Sequence, residues 1–465
     1  MTSSANSFAL DWVSGWWRGI RPAWKFSLVA VTAARIFYTL WSLFFLSNFS
    51  LVIQNQEFFG EPVVAIFDLD ASRAFSYNRS VGGETLSFQR ADASHLFDLK
   101  TGSLWRVADG VCISGPYAGM SLRASDIATE KLFPYHGVTA HLVPLVSIWQ
   151  RFDVNWYLAI AQRGYGTIPG DVHFPPLFPV LIQWASFLVR DDMLSGLILS
   201  QLALYYLVVL LYEWSAQWGG ETPAARTLLF FLIFPTSFFL FSAYTEALFM
   251  ITSILCLRTA REEKWHWAGF WVFCAILIRL QGVALFVPLA WMVLRTRFRN
   301  MRWLDLFLAG TTSMAAVGVY LLLRAGAGES AVIPLTESNL HARIVLPWET
   351  FIYSLRYIFS GSGGYIDVLN LLAFLAFSVT LIMYWKKIPV EYALFAAASI
   401  ILFSMRWVDT QPLNSMTRYL LTVFPVFLLF GQWTRNRWTN RLMFLLFLGL
   451  NLFLCAQFFL WGWVA

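Results

Sequence analysis

The sequence predicts an all-α polytopic membrane protein, about 11 transmembrane helices with a large first extracytoplasmic loop. Three observations carry that expectation. Of 465 residues 58% are hydrophobic and 13% charged, about half the charged share of soluble domains. Apolar runs of about 20 residues, each able to cross a hydrocarbon core of roughly 30 Å, recur along most of the chain. Lys and Arg collect in short loops between those runs, the bias that orients membrane helices. The net charge of +6 is therefore a topology signal, and no nucleic-acid partner is indicated. The 23 tryptophans suit interfacial belts, where an amphipathic ring rests at headgroup level. Cys112, Cys256, Cys274 and Cys455 form no paired framework, so neither a disulfide nor a zinc site is read.

Residues 1–25, with Trp12, Trp16, Trp17, Arg18, Arg21, Trp24 and Lys25, read as a cytoplasmic interfacial segment. Residues 26–50 form the first transmembrane helix, too long for a signal-peptide core and followed by no small-residue cleavage site. Arg35 within it is open to a functional role or to snorkelling. Residues 54–192 form an extracytoplasmic loop. Its polar part, 54–150, has turn signals such as Val81-Gly82-Gly83, and a partly β subdomain is expected there. The segment from Arg151 to Gly166 is amphipathic and ends in a glycine stop. After three prolines, Leu177 to Val189 is short for a span and reads as a surface-lying or re-entrant helix. That choice keeps Asp191 and Asp192 outside and sets the parity of all later spans.

Residues 193–465 form the transmembrane helical domain. Its runs are 193–214, 226–243, 245–260, 265–279, 281–294, 303–324, 365–385, 389–407, 418–434 and 438–464, with an outer loop at 326–364. In this parity Arg226, Arg261, Lys264, Arg295, Arg297, Arg299, Arg302, Lys386, Lys387, Arg435, Arg437 and Arg441 all share the N-terminal, cytoplasmic side. No internal repeat is visible.

Few polar groups remain on the outer side. Asp153, Trp156, Tyr157 and Ile160 are spaced to share one helix face. That face is either an interfacial helix with aromatic anchors and a solvated acid, or a carboxylate set among rings that handle a sugar. Pro235 interrupts a helix ahead of Tyr244 and Glu246, and Glu246 is either a helix cap or a cavity ligand. Arg279, Arg343 and Arg418 run against the positive-inside bias. Each is an interfacial anchor or ion-pair partner, or a phosphate fork donating two parallel charge-assisted hydrogen bonds. His173 and His341 are outer-side. No P-loop, dinucleotide turn or His-rich metal motif is present, so no cofactor is assigned and a divalent metal is not indicated.

Arg151-Phe152-Asp153, Trp156-Tyr157-Leu158, Ile160-Ala161 and Gly164-Tyr165 together resemble the signature of the phosphatidylinositol-glycan class V mannosyltransferase family, in the glycosyltransferase C superfamily. Phe174 to Pro179 resembles its Phe-Phe-Pro-Leu-Phe-Pro box, and Pro235-Thr236-Ser237 with Tyr244-Thr245-Glu246 resembles a third. Arg279 with Gly282, and Ser415 with Arg418-Tyr419, match later boxes in the same order, and Arg343 with Pro347-Trp348 is similar to a weaker one. The likeness runs from about residue 150 to 430. Phe152 departs from the usual Trp, Pro175 from an aromatic, and the 54–145 insertion is longer than the family's.

The resemblance implies a glycosyltransferase C-like fold and an inverting transfer of mannose from a polyprenyl-phosphate mannose donor to a membrane-associated glycolipid or glycan, as in GPI-anchor synthesis. The site would be extracytoplasmic, in a bacterial plasma membrane or on the lumenal side of the endoplasmic reticulum. Asp153 would be the catalytic base. Arg418, Arg279 or Arg343 would hold the donor phosphate. Trp156, Tyr157, His173, Tyr244, Glu246 and Tyr419 would line the sugar and acceptor sites. Alternatives are a protein O-mannosyltransferase, another polyprenyl-phosphate-sugar transferase, or a lipid or solute transporter.

Overall fold

The computed structural model describes residues 20–49, 51–58, 60–69, 73–125, 133–295, 303–326, 342–408, 411–433 and 436–464. The flank 1–19, His341 with most of the 326–341 stretch, and Arg297, Arg299, Arg302 and Arg435 lie outside them. Helix α1 (Pro22–Asn48) opens with proline at its first position, where the missing N–H costs no helical bond.

The polar stretch after α1 is built of strands. β1 (Leu51–Phe58), β2 (Glu61–Asp68) and β3 (Arg73–Asn78) form an antiparallel meander with Leu51 opposite Asp68 and Val63 opposite Asn78. β4 (Ser80–Val81) and β5 (Glu84–Thr85) close over Gly82-Gly83, whose φ values of 59° and 83° are those of a two-residue hairpin turn. β6 (Phe88–Arg90), β7 (His95–Asp98), β8 (Leu104–Arg106) and β9 (Cys112–Ser114) make a four-stranded sheet in sequence order. β2 is buried on both faces. Val64 and Ile66 join the β core with Phe88, Leu96 and Trp105. Ala65 and Phe67 instead pack on Phe133 and Trp461, the alternation a pleated strand imposes. The β subdomain is thereby tied to the C-terminal end of the helical body.

The helical body runs as α2 (Asp153–Arg163), α3 (Leu177–Val189), α4 (Asp192–Gly219), α5 (Glu221–Leu232), α6 (Glu246–Arg261), α7 (Trp265–Ile278), α8 (Phe286–Arg295) and α9 (Trp303–Gly326). It continues through β10 (Ala342–Ile344), α10 (Pro347–Phe359), α11 (Tyr365–Tyr384), α12 (Val390–Ser404), β11 (Arg406–Val408), α13 (Met416–Leu420), α14 (Phe424–Trp433) and α15 (Arg437–Phe459). The chain is thus mainly helical, with a β-rich region near its N-terminus, and is an integral membrane protein. Among the described residues five helices are long and apolar enough to cross a membrane, in α1, α4, α9, α11 and α15.

The other six apolar runs of the sequence yield α5, α6, α7, α8, α12 and α14, helices of 10 to 16 residues. At 1.5 Å per residue these measure about 15–24 Å, short of a roughly 30 Å hydrocarbon core. The cause is local. Pro235 has no N–H to continue α5 and disfavours helix at Phe234, so α5 stops at Leu232 and a 3₁₀ segment, Ser237–Phe241, takes over. Likewise α7 stops at Ile278 and a 3₁₀ segment, Leu280–Leu285, leads into α8.

Irregular backbone inside a membrane protein is tolerated only where its polar groups find partners, and here side chains supply them. Ser237 Oγ donates to the Leu232 carbonyl at 2.6 Å and Asn451 Nδ2 to that of Phe234 at 2.7 Å. Arg35 Nη1 donates to the Phe241 carbonyl at 2.7 Å, and Ser200 Oγ to that of Tyr244 at 3.0 Å. Arg35 therefore stitches a broken helix.

Candidate active site

Three helix interruptions meet α2, and each delivers one charged side chain. Asp153 is the first residue of α2 and Glu246 the first of α6, positions where the positive end of the helix favours a carboxylate. Arg279 follows α7 in extended conformation, turned by the 3₁₀ segment behind it. Gly282 permits that turn, since a Cβ there would stand 2.6 Å from the Ile276 amide nitrogen. Arg418 lies on the short α13, whose start is held by Asn370 Oδ1, which accepts from Thr417 N at 2.9 Å and Thr417 Oγ1 at 2.8 Å.

The four side chains form a row of alternating charge. Asp153 Oδ2 is 2.7 Å from Arg418 Nη1. Arg418 Nε donates to Glu246 Oε1 at 2.7 Å, and Arg279 Nη1 donates to the same oxygen at 2.7 Å. Arg279 Nη1 also reaches Thr245 Oγ1 at 3.2 Å, which lies 3.4 Å from the Tyr157 hydroxyl. The Phe239 and Tyr244 rings lie 4.8 and 4.5 Å from the Arg418 guanidinium carbon, a cation–π arrangement. Burying charge is costly unless each ion meets its opposite, and this row meets that condition.

Exposure separates the two carboxylates. Glu246 is wholly enclosed at 0%, whereas the Asp153 side chain is 23% exposed. Only Asp153 is open to an incoming hydroxyl. Glu246 Oε2 is buried and has no hydrogen-bond partner among the described residues.

Two residues beside the site hold unusual backbone. Phe152 has φ 50°, and Ser415, just before α13, has φ 62°. Such non-glycine conformations cost on the order of 1–3 kcal/mol and persist only where the surroundings impose them. Around Phe152 those surroundings are the rings of Phe458, Trp461 and Trp463, at 5.9, 5.6 and 5.3 Å. Arg151 is fully buried. Its Nη1 donates to Ser147 O at 2.6 Å, its Nε donates to Phe459 O at 3.3 Å, and Trp461 lies 4.7 Å from its guanidinium carbon. Burial pushes this arginine down to about 10, so it stays charged at neutral pH. It fastens the Asp153 turn to the last helix.

The sequence-predicted residues are distributed unevenly. Asp153, Arg418, Arg279, Glu246, Tyr157 and Tyr244 share one network, and Tyr419 joins it, its ring centroid 5.6 Å from the Arg279 guanidinium carbon. Trp156 stands at the flank, stacked on Phe174 at 5.2 Å and packed on His136 at 3.8 Å. His173 Nδ1 donates to Gly170 O at 2.8 Å, and its Nε2 is buried with no hydrogen-bond partner among the described residues. The Arg343 backbone lies in β10 opposite Trp407.

Two residues that the sequence reading does not single out adjoin the site. Arg406 Nη1 donates to the Tyr419 hydroxyl at 2.8 Å. Its signal is an arginine ending an apolar run where the sequence predicts the outer side, the criterion that selects Arg279 and Arg418. His136 packs on Trp156, and burial pushes its imidazole down to about 4 against the pull of Asp153. Among the described residues no group of three His, Cys, Asp or Glu side chains is assembled for a metal.

The His136 environment has a pH consequence. Unfolded histidine titrates near 6.5, so between that value and about 4 the unfolded chain binds the extra proton. Stability therefore falls as pH drops through this window. Thermal unfolding in detergent at about pH 7.5 and about pH 5 is expected to show a larger loss for wild type than for His136→Asn. Equal losses would remove His136 as the source.

No protein-family model matches the chain. Over 139 residues it is 24% identical to GPI mannosyltransferase 2 of Schizosaccharomyces pombe (strain 972 / ATCC 24843), a stretch covering 29% of this chain and 30% of that protein. A solved structure, ArnT from Cupriavidus metallidurans bound to undecaprenyl phosphate, aligns at a TM-score of 0.38 and 17% identity, covering 56% of this chain and 50% of that one. The match thus spans about a third of the curated relative and half of the solved structure.

Proposed function

We propose that the chain is an inverting glycosyltransferase that moves mannose from a polyprenyl-phosphate carrier to a hydroxyl of a membrane-associated glycolipid or glycan on the extracytoplasmic side. The observation that carries this reading is the pairing of one open carboxylate, Asp153, with a buried guanidinium, Arg418. Asp153 takes the proton of the acceptor hydroxyl as that oxygen bonds to the anomeric carbon. The bond from that carbon to the phosphate oxygen breaks, and its electron pair leaves with the phosphate. One displacement inverts the anomeric centre, as in inverting glycosidases. The leaving group is already a stable anion and needs no acid.

Proton transfer and phosphate release are coupled through Arg418. Once Asp153 is neutral, Arg418 Nη1 loses its charged partner and turns to the charge developing on the phosphate. Arg279 supports the same field, and the enclosed Glu246 orients both guanidiniums through Oε1. Tyr157, Tyr244, Trp156, His173 and Tyr419 enclose the sugar and acceptor. An open groove of about 320 Å³, lined by Tyr165, Val319, Leu322 and Leu323, suits an isoprenoid segment. The matched stretch of GPI mannosyltransferase 2 supports mannose as the sugar.

Purified protein incubated with polyprenyl-phosphate mannose is expected to release mannose slowly to water and faster to a glycolipid acceptor. No turnover of any polyprenyl-phosphate sugar, with or without acceptor, would refute the reading.

A further inference from the structure

Arg406 begins β11, opposite Ile344 of β10, and Val345 N donates to Met405 O at 2.9 Å just before it. Its backbone is therefore held on a paired ribbon. The side chain is half-buried, and its Nη1 donates to the Tyr419 hydroxyl at 2.8 Å. Tyr419 in turn lies against Arg279. In order of contact the row runs Asp153, Arg418, Glu246, Arg279, Tyr419, Arg406.

The charges along that row do not cancel. Glu246 holds both Arg279 and Arg418, and Asp153 holds Arg418. Among the described residues Arg406 pairs with no carboxylate, and its side-chain partner, Tyr419, is a neutral phenol. Two carboxylates therefore face three guanidiniums. A half-buried guanidinium bonded to a phenol keeps most of its five donors for an anion. A planar fork of this kind binds a phosphate through two parallel, charge-assisted bonds.

We infer that Arg406 is the residue that holds the phosphate group of the lipid donor before reaction. This rests on the polyprenyl-phosphate reading above and divides the work among the arginines. Arg418 and Arg279 are committed to carboxylates in the resting site, and Arg418 becomes available only as Asp153 takes its proton. Arg406 is available throughout. It therefore sets affinity for donor and for the polyprenyl phosphate product, whereas Arg418 sets the rate of the chemical step. Tyr419 positions Arg406 by accepting one of its N–H groups.

The test compares wild type, Arg406→Gln and Arg406→Lys in detergent, with polyprenyl-phosphate mannose as substrate and two added inhibitors, polyprenyl phosphate and the uncharged polyprenol. In Arg406→Gln the KM for donor and the inhibition constant for polyprenyl phosphate are expected to rise by about 10-fold or more. In the same variant kcat at saturating donor changes by less than about threefold. Arg406→Lys, which keeps the charge without the fork, is expected to fall between. Inhibition by polyprenol stays equal across all three. An unchanged inhibition constant for polyprenyl phosphate overturns the role of Arg406 while wild-type turnover leaves the transferase reading intact. Equal weakening of polyprenol and polyprenyl phosphate overturns it too, because it marks a merely structural loss. Wild type that neither turns over the sugar lipid nor is inhibited by polyprenyl phosphate refutes both.

Discussion

Asp153→Asn lowers sugar transfer by about 10²–10⁴-fold, the usual contribution of a positioned general base, while donor binding stays within about threefold of wild type. The amide is nearly the same size as the carboxylate and still offers Arg418 Nη1 an oxygen acceptor, so the site keeps its shape. It cannot take a proton from an alcohol. Because the Asp153 side chain is partly solvated while Arg418 is buried, losing its charge is expected to cost less than the about 3–5 kcal/mol of breaking a fully buried pair. Steady-state transfer, donor inhibition constants and a melting curve on one preparation separate these effects. A variant that folds, binds donor and turns over within tenfold of wild type would exclude Asp153 as the base.

Glu246→Gln acts on the opposite property. The carboxylate is enclosed, and a single oxygen serves both Arg279 and Arg418 at 2.7 Å. A neutral amide leaves two buried guanidiniums facing one another with Asp153 as their remaining anion in the row. Breaking a buried ion network by removing one partner costs about 3–5 kcal/mol, so the variant is expected to unfold at markedly lower temperature or denaturant concentration than Asp153→Asn. Activity falls with it, because Arg418 loses the contact that aims it. Equal stability of the two variants would mean that Glu246 is not the hub of the row.

How much of this is legible in the sequence differs by residue. Helical spacing alone puts Asp153 on a face with Trp156 and Tyr157, and the positive-inside rule alone makes Arg279 and Arg418 conspicuous. The pairing of those arginines through Glu246 is not legible, because it depends on three interruptions pointing into one volume. Hydropathy counts apolar length and is blind to where hydrogen bonding stops. It therefore reads full spans at 226–243 and 281–294, where the chain forms the short helices α5 and α8. Arg406 ends an apolar run and is counted inside it, although its exposure to the site follows from β11 replacing the last turn of that helix. Arg151 is visible only as part of a motif. Its burial depends on Phe459, 308 residues away in sequence. The strands of the 51–114 region match the expectation of a partly β insertion, but their register rests on side-chain contacts no single-sequence pattern specifies.

The row of charges also has a timetable. Arg279 follows Glu246 by 33 residues and Arg418 follows it by 172. At 5–20 residues per second of synthesis, Arg279 emerges about 2–7 s after Glu246 and Arg418 about 9–34 s after it. During that interval the nascent chain holds an acid at the head of an apolar helix with one arginine to shelter it. Arg279 is therefore the first of the two arginine partners of Glu246 to be synthesised, and Arg418 completes the row only when most of the chain has been made.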